Sequence, residues 1–438
     1  MANQPIQAFG GKGLLAKAPD ALKTDTLVFL SGRHAVNLDT GAIPRDAASL
    51  PPAARQMYAS ARYIDPMEWA MTAQTWWIYE AFRRILEPLG ATLDNLVRTN
   101  TYFRDLEDFP AMERARAQII PVDPPPSTVL TIPYGHFPEG EDLAIEGVAI
   151  LPAAGRREPV HAQLGAGAHF LWGNQVKEVV WAAGQTAGHP LTGEFVNRVK
   201  ELGLEGRHLA TNNIHLDSRE GRVSAQAWMA YWRVKTILEG AGLGLKDIIQ
   251  EKIYLRSLKH LPAVERVRRG LYNPNEAAPP HFYVEVTDVG RNTDCLIEVD
   301  AIAAARGREL LKTSGDGLGR LGVSGCAQGD FIYLGGWTAR QGDGSVAGRG
   351  PSKPIAAQAA WIYDRIGEFL GSNRSSLMQL AKVDLYVRGD ADLRALDAVH
   401  ASVFAGGMPA VSIIPMRRID HDDAVELKVS GVACRASR

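Results

Sequence analysis

Apolar and polar positions along this chain follow one order of periods, and that order occurs three times. Short apolar runs predict strands at Leu27-Val28-Phe29-Leu30, Val179-Val180-Trp181-Ala182 and Phe331-Ile332-Tyr333-Leu334. Each run ends in a small-residue turn at Gly32, Gly184 or Gly336, where glycine is expected to supply backbone angles that a Cβ forbids. An amphipathic helix follows each. Its apolar positions are Ile78, Phe82, Ile85 and Leu86 in the first occurrence, then Ala230, Val234, Ile237 and Leu238, then Ile362, Ile366, Phe369 and Leu370. The i, i+4, i+7, i+8 spacing puts each set on one helix face. Gly90 and Gly242 mark helix stops; the third occurrence has Arg374 there and is expected to end differently. Strands are predicted over 97–103, 249–255 and 382–387. Second helices start near Pro110 and Pro262, and two closing strands complete each occurrence.

The middle of the pattern aligns without a gap. Ala73-Gln74, Ala225-Gln226 and Ala357-Gln358 open the frame, and Tyr102-Phe103-Arg104, Tyr254-Leu255-Arg256 and Tyr386-Val387-Arg388 close it, with shifts of 152 and 132 residues. Such periods mark repeated domains rather than solenoid units of about 20–50 residues. The expected fold is α+β, a sheet with two helices per repeat. The boundaries are 1–155, 156–306 and 307–438, with the third repeat the most divergent. The first two repeats carry about twenty extra residues between the glycine turn and the helix, a place for functional loops.

Composition adds exclusions. The net charge of -1 gives no electrostatic case for nucleic acid or an anionic membrane, so neither is an expected partner. Three widely spaced cysteines argue against a disulfide framework, and no apolar run reaches membrane-spanning length; a cytoplasmic protein is expected. Phosphate-loop and nucleophile-elbow patterns do not occur. His189, His208 and His215 do not have the spacing of a zinc site, and no metal is expected.

The ordered set resembles the Rid (YjgF-like) family of enamine and imine deaminases. The resemblance rests on the glycine turn, the helix with Gln, the tyrosine strand, the acidic turn Asp105-Leu106-Glu107-Asp108-Phe109, the stretch Pro124-Pro125-Pro126-Ser127-Thr128-Val129 and the closing Glu146-Gly147-Val148-Ala149. It implies homotrimer-like packing within one chain, an intramolecular pseudo-trimeric barrel with three unequal clefts, and further association of such pseudo-trimers as an option. It implies no cofactor. The family's carboxylate-binding arginine falls at Pro126, His281 and Val411, and its acid at Glu146, Asp300 and Ser430. The family anchor is thus absent.

His281, Asp300 and Glu146 are the catalytic candidates, and Arg33, His34 and Gln185 the substrate-binding ones. The favoured cleft joins His281 to Asp300, because a histidine near neutrality moves protons. The function expected is a cofactor-independent hydrolase or deaminase acting on a small enamine, imine or related unsaturated acid. One alternative is a chorismatase-like enzyme acting on a cyclic enol-ether acid, which requires Arg33, Arg104 or Arg256 to converge. The other is a non-catalytic small-molecule-binding protein.

Overall fold

The computed structural model describes residues 3–6, 18–60, 65–133, 139–165, 170–210, 219–272, 277–290, 294–312, 323–350 and 354–436. It is a mixed α+β fold with three sheets of seven, seven and six strands. In the first repeat the principal elements are β1 (Leu27–His34), α1 (Trp69–Leu86), β2 (Leu96–Phe103), α2 (Phe109–Ile119), β3 (Ser127–Thr131) and β4 (Leu143–Ile150). The second has β5 (Val179–Ala182), β6 (Gln185–Thr186), α3 (Arg219–Glu239), β7 (Ile248–Leu255), α4 (Leu261–Leu271), β8 (His281–Glu285), β9 (Asp288–Val289) and β10 (Ile297–Ala304). The third has β11 (Phe331–Thr338), α5 (Pro354–Ser372), β12 (Leu380–Arg388), α6 (Leu393–Val403), β13 (Ala410–Met416) and β14 (Leu427–Cys434).

Each sheet is built alike. The tyrosine strand (β2, β7 or β12) runs antiparallel to the closing strand and parallel to the strand after the second helix. The predicted helix faces are the buried ones: Ile78, Phe82, Ile85 and Leu86, and their counterparts in α3 and α5, are at most 3% exposed. Burying four such side chains per helix supplies most of its stability, since in folded proteins packing of the apolar face outweighs intrinsic helix propensity.

Two expectations change. Arg374 does not end its helix differently: it takes φ of 63°, beside 70° at Gly90 and 73° at Gly242. The turn geometry persists although the residue pays for it with a left-handed backbone. The turn glycines Gly32, Gly184 and Gly336, in contrast, have no positive φ. They are needed for close approach. A Cβ on Gly184 would strike Thr128, one on Gly336 would strike Phe282, and one on Gly32 would press on Ser412 at 3.1 Å. These three partners occupy the same register position on β3, β8 and β13, the strands parallel to the tyrosine strands. Each glycine therefore meets a neighbouring repeat, and the contacts run first to second, second to third and third back to first. The sheets themselves stay separate rather than merging into one closed ladder, although β9 of the second repeat pairs with β3 at the edge of the first sheet.

The inner faces of the tyrosine strands meet in the middle of the molecule. Arg98 hydrogen-bonds Asp300, Lys252 Nζ lies 2.8 Å from Asp384 Oδ2, and Lys382 Nζ lies 2.6 Å from Glu146 Oε2. Every pair joins two different repeats, and the three pairs close a ring. A cavity of about 60 Å³ remains among them.

Among the described residues no helix is long and apolar enough to cross a membrane.

Candidate active site between the first two repeats

A cleft of about 980 Å³ lies between the first and second repeats. Leu106, Phe109, Ser127 and Val129 form its first-repeat wall. The second-repeat wall includes Leu164, Phe170, Gly184, Thr186, Arg233, Asp294, Glu298 and the segment from Gly188 to Phe195. That segment belongs to the second repeat's extra residues. It turns back on itself through a Gly188–Phe195 bridge and a 2.8 Å bond from His189 N to Glu194 O. The insertion thus borders a cleft, but not one that contains His281.

Glu298 is the chemically distinctive residue. It lies on β10 opposite Tyr254 and is 3% exposed. Its Oε1 accepts a long 3.4 Å bond from Val129 N across the repeat boundary. Burial pushes its carboxyl up to about 8; Asp300 adds to the rise, while the Val129 N–H and Arg98 oppose it. At neutral pH it is mainly a neutral acid. Gly184 makes room for it, since a Cβ there would also collide with Glu298 Oε1.

Arg233, on α3, supplies the positive charge. It is 8% exposed. Its Nε donates to Gln185 Oε1 at 2.9 Å and its Nη1 to Gly188 O at 3.0 Å, and its guanidinium lies 5.4 Å from the Trp172 ring. Burial pulls its pKa down to about 10. Among the described residues it has no carboxylate partner. A buried charge without a counter-ion is costly, so this one is suited to an anion entering the cleft.

At the other two inter-repeat contacts the position equivalent to Glu298 holds no acid. Register places Ala144, Glu298 and Lys428 at equivalent positions opposite Tyr102, Tyr254 and Tyr386. Between the second and third repeats, Phe282 packs on Tyr386 at 4.8 Å, and Lys428 Nζ donates to the carbonyls of Tyr283 and Ile419. Between the third and first, Ser31 Oγ accepts from Val411 N at 3.0 Å.

The residues singled out in the sequence are mostly elsewhere. His281 pairs in register with Glu251, whereas Asp300 pairs with Lys252. Neighbouring residues of a strand face opposite sides of a sheet, so His281 and Asp300 are not brought together. His281 Nε2 is 4.0 Å from Glu265 on α4, and Asp300 is held by Arg98. The same register equates His281 with Ser127, not Pro126.

Glu146 belongs to the central ring. It accepts from Asn100, Tyr102 and Ser412. Burial alone would raise it, but Lys382 and Lys252 hold it well below the usual carboxylate range. It does not meet Arg33, which pairs with Asp20, and His34 Nδ1 lies 2.7 Å from Glu141 Oε2. Gln185 alone of the six adjoins the cleft, through its bond to Arg233.

Arg104, Arg256 and Arg388 make ion pairs within their own repeats, with Asp142, Asp288 and Glu426. Arg33, Arg104 and Arg256 therefore hold separate acids and do not converge. His215 lies outside the described residues. The three cysteines are free and buried, and burial raises each thiol, so none is primed as a thiolate.

Two residues that matter here were passed over in the sequence. In Ile297-Glu298-Val299-Asp300 both acids fall on one face of the strand, and only the partners across the repeat boundary separate the cleft acid from the ring acid. Arg233 aligns with Ala81 and with Arg365, a partly exposed residue on α5 that pairs with Asp364. Pattern alone does not tell it from a surface arginine.

Comparison with known proteins fits this geometry. The endoribonuclease L-PSP family model matches residues 161–305, the stretch holding Gly184, Arg233 and Glu298. The second repeat is a Rid-family domain. A Salmonella typhimurium protein named 2-iminobutanoate/2-iminopropanoate deaminase is 29% identical over 113 residues, covering 25% of this chain and 87% of that protein. A RutC family protein of Pyrococcus horikoshii is 31% identical over 84 residues, 19% of this chain and 64% of its own length. Escherichia coli TdcF with bound serine is similar in structure with a TM-score of 0.26 and 21% identity, over 34% of this chain and 99% of that one. A chorismatase structure covers 78% of this chain and 93% of its own, with a TM-score of 0.47 and 11% identity. The Rid repeat thus contributes the cleft's acid and its cation, while the first repeat closes the opposite wall.

Proposed function

We propose that the repeats, with boundaries at 1–155, 156–306 and 307–438, act as an intramolecular trimer, and that the cleft between the first two hydrolyses a small enamine or imine acid. The observation that carries this reading is Glu298, a buried and mainly neutral carboxylic acid in an open cleft that also holds a guanidinium without a counter-ion. The Salmonella relative's name supplies the substrate class for comparison.

With a 2-imino acid, the substrate carboxylate pairs with Arg233. Glu298 gives its proton to the imine nitrogen, or to the β-carbon when the substrate arrives as the enamine. Water then adds to C2: a C–O bond forms as the C=N pair withdraws to nitrogen. Glu298, now a carboxylate, takes a proton from the added water and returns it to the nitrogen. The C–N bond breaks as the oxygen lone pair of the remaining hydroxyl forms the C=O bond, the hydroxyl proton passes to the Glu298 carboxylate, ammonia leaves, and a 2-oxo acid remains. Imine and water are consumed, ammonia and oxo acid are formed, and the acid is regenerated. A general acid with a pKa near the working pH suits both proton transfers. Ammonia release from 2-imino acids formed in situ, with short and with bulky side chains, tests the reading. Acceleration over the spontaneous rate supports it, and no acceleration at high protein concentration leaves the cleft a binding site without catalysis.

A further inference from the structure

The same cleft carries information about substrate size, and the inference rests on reading it as the reaction site. We infer that its substrate is an anionic acid with a bulky apolar side chain of aryl type, not a three- or four-carbon acid. The volume is about 980 Å³, at the upper end of the roughly 300–1,000 Å³ typical of sites for drug-sized ligands. A short acid fills a small part of it.

The lining is divided in a way that matches an amphipathic ligand. At one place stands Arg233, whose Nε and Nη1 are committed to neutral acceptors and whose charge no described acid compensates. Trp172 flanks the guanidinium and limits its movement. Both walls also present apolar groups: Leu106, Phe109 and Val129 from the first repeat, Leu164, Phe170 and Phe195 from the second. Phe170 in turn lies 6.0 Å from the Arg116 guanidinium of the first repeat, a contact across the boundary. At the rim, Leu191 is 89% exposed.

A methyl side chain leaves these apolar walls in water, whereas an aryl group anchored through its carboxylate covers them. Hydrophobic pockets discriminate by about tenfold or more per missing methylene, so the difference between methyl and benzyl is readily measured. Neither of the other two inter-repeat contacts pairs such a wall with a buried, uncompensated arginine among the described residues.

The test uses the full chain and imines formed in situ from alanine and from phenylalanine by an amino-acid oxidase, with ammonia release as readout. The phenylalanine-derived imine is expected to show a kcat/KM at least about tenfold the higher. Phe170→Ala is expected to reduce that ratio by about threefold or more. An equal or reversed preference overturns the size inference and leaves the deaminase reading standing. A ratio unmoved in Phe170→Ala and in Leu106→Ala overturns the assignment of the apolar walls. No turnover of either imine defeats both readings together.

Discussion

Lys382 Nζ stands 2.6 Å from Glu146 Oε2, and this ion pair ties the last repeat of the chain to the first. Both residues are buried, at 6% and 3% exposure. The pair closes a ring whose other members, Arg98–Asp300 and Lys252–Asp384, join first to second and second to third. Burial alone would lower Lys252 and Arg98, yet each is raised overall by its acidic partners. An exact threefold repeat cannot make this arrangement, because one strand position holds Asn100, Lys252 and Asp384. Fusion in one chain allows each repeat to bring a different charge.

Removing one member strands the other. Lys382→Met is expected to cost about 3–5 kcal/mol, because it leaves the Glu146 carboxylate buried without its cation. The double variant Lys382→Met/Glu146→Gln is expected to recover most of that loss. Urea unfolding midpoints check it; a double variant no more stable than the single one shows that the charge pairing is not the cause.

Arg374 occupies a left-handed turn that Gly90 and Gly242 take freely. Arg374→Gly is expected to stabilise the chain by about 0.5–1 kcal/mol, the relief of backbone strain exceeding the entropy glycine adds to the unfolded state. A lower thermal midpoint for this variant rules out that account.

Glycine turns are expected to differ in their tolerance of a methyl group. Gly32→Ala meets Ser412 at 3.1 Å, while Gly184→Ala and Gly336→Ala collide with Glu298 and Phe282. The latter two are expected to lose about 1–3 kcal/mol from overpacking and Gly32→Ala less. Only Gly184→Ala is expected to lower activity as well. Thermal denaturation and ammonia release rank the three.

Stability is expected to respond to pH through Glu298. Its carboxyl is at about 8 in the folded chain, against 4.5 for the unperturbed group. The folded state therefore binds the extra proton between those values, and its contribution is complete below about 4.5 and lost as pH rises through about 8. Glu298→Gln cannot ionise, so its thermal midpoint is expected to fall less than that of the unaltered protein between about pH 5 and 9. Parallel profiles for the two proteins defeat the assignment.

Much of the architecture was legible in the sequence because packing repeats where chemistry does not. The helix faces and the tyrosine strands recur, and their burial follows from spacing; the glycine turns recur too, but their reason, close approach to a neighbouring repeat, does not show in the pattern of one repeat. The site was less legible for a physical reason. Side chains one residue apart on a strand lie on opposite faces, so His281 and Asp300 are neighbours in the sheet yet separated by it. Acids two residues apart share a face, so Asp300 and Glu298 are told apart by Arg98 and Val129, which belong to another repeat. What looked like a functional acid in Glu146 is a member of the central ring, paired with Lys382.

We propose Glu298, in the cleft between the first two repeats, as the proton donor for hydrolysis of a 2-imino acid. The direct measurement is kcat/KM for ammonia release by Glu298→Gln beside the unaltered protein and His281→Ala. A loss of about 100-fold or more in Glu298→Gln, with His281→Ala near the unaltered value, is the predicted result. Full activity in Glu298→Gln, or a comparable collapse confined to His281→Ala, would contradict it.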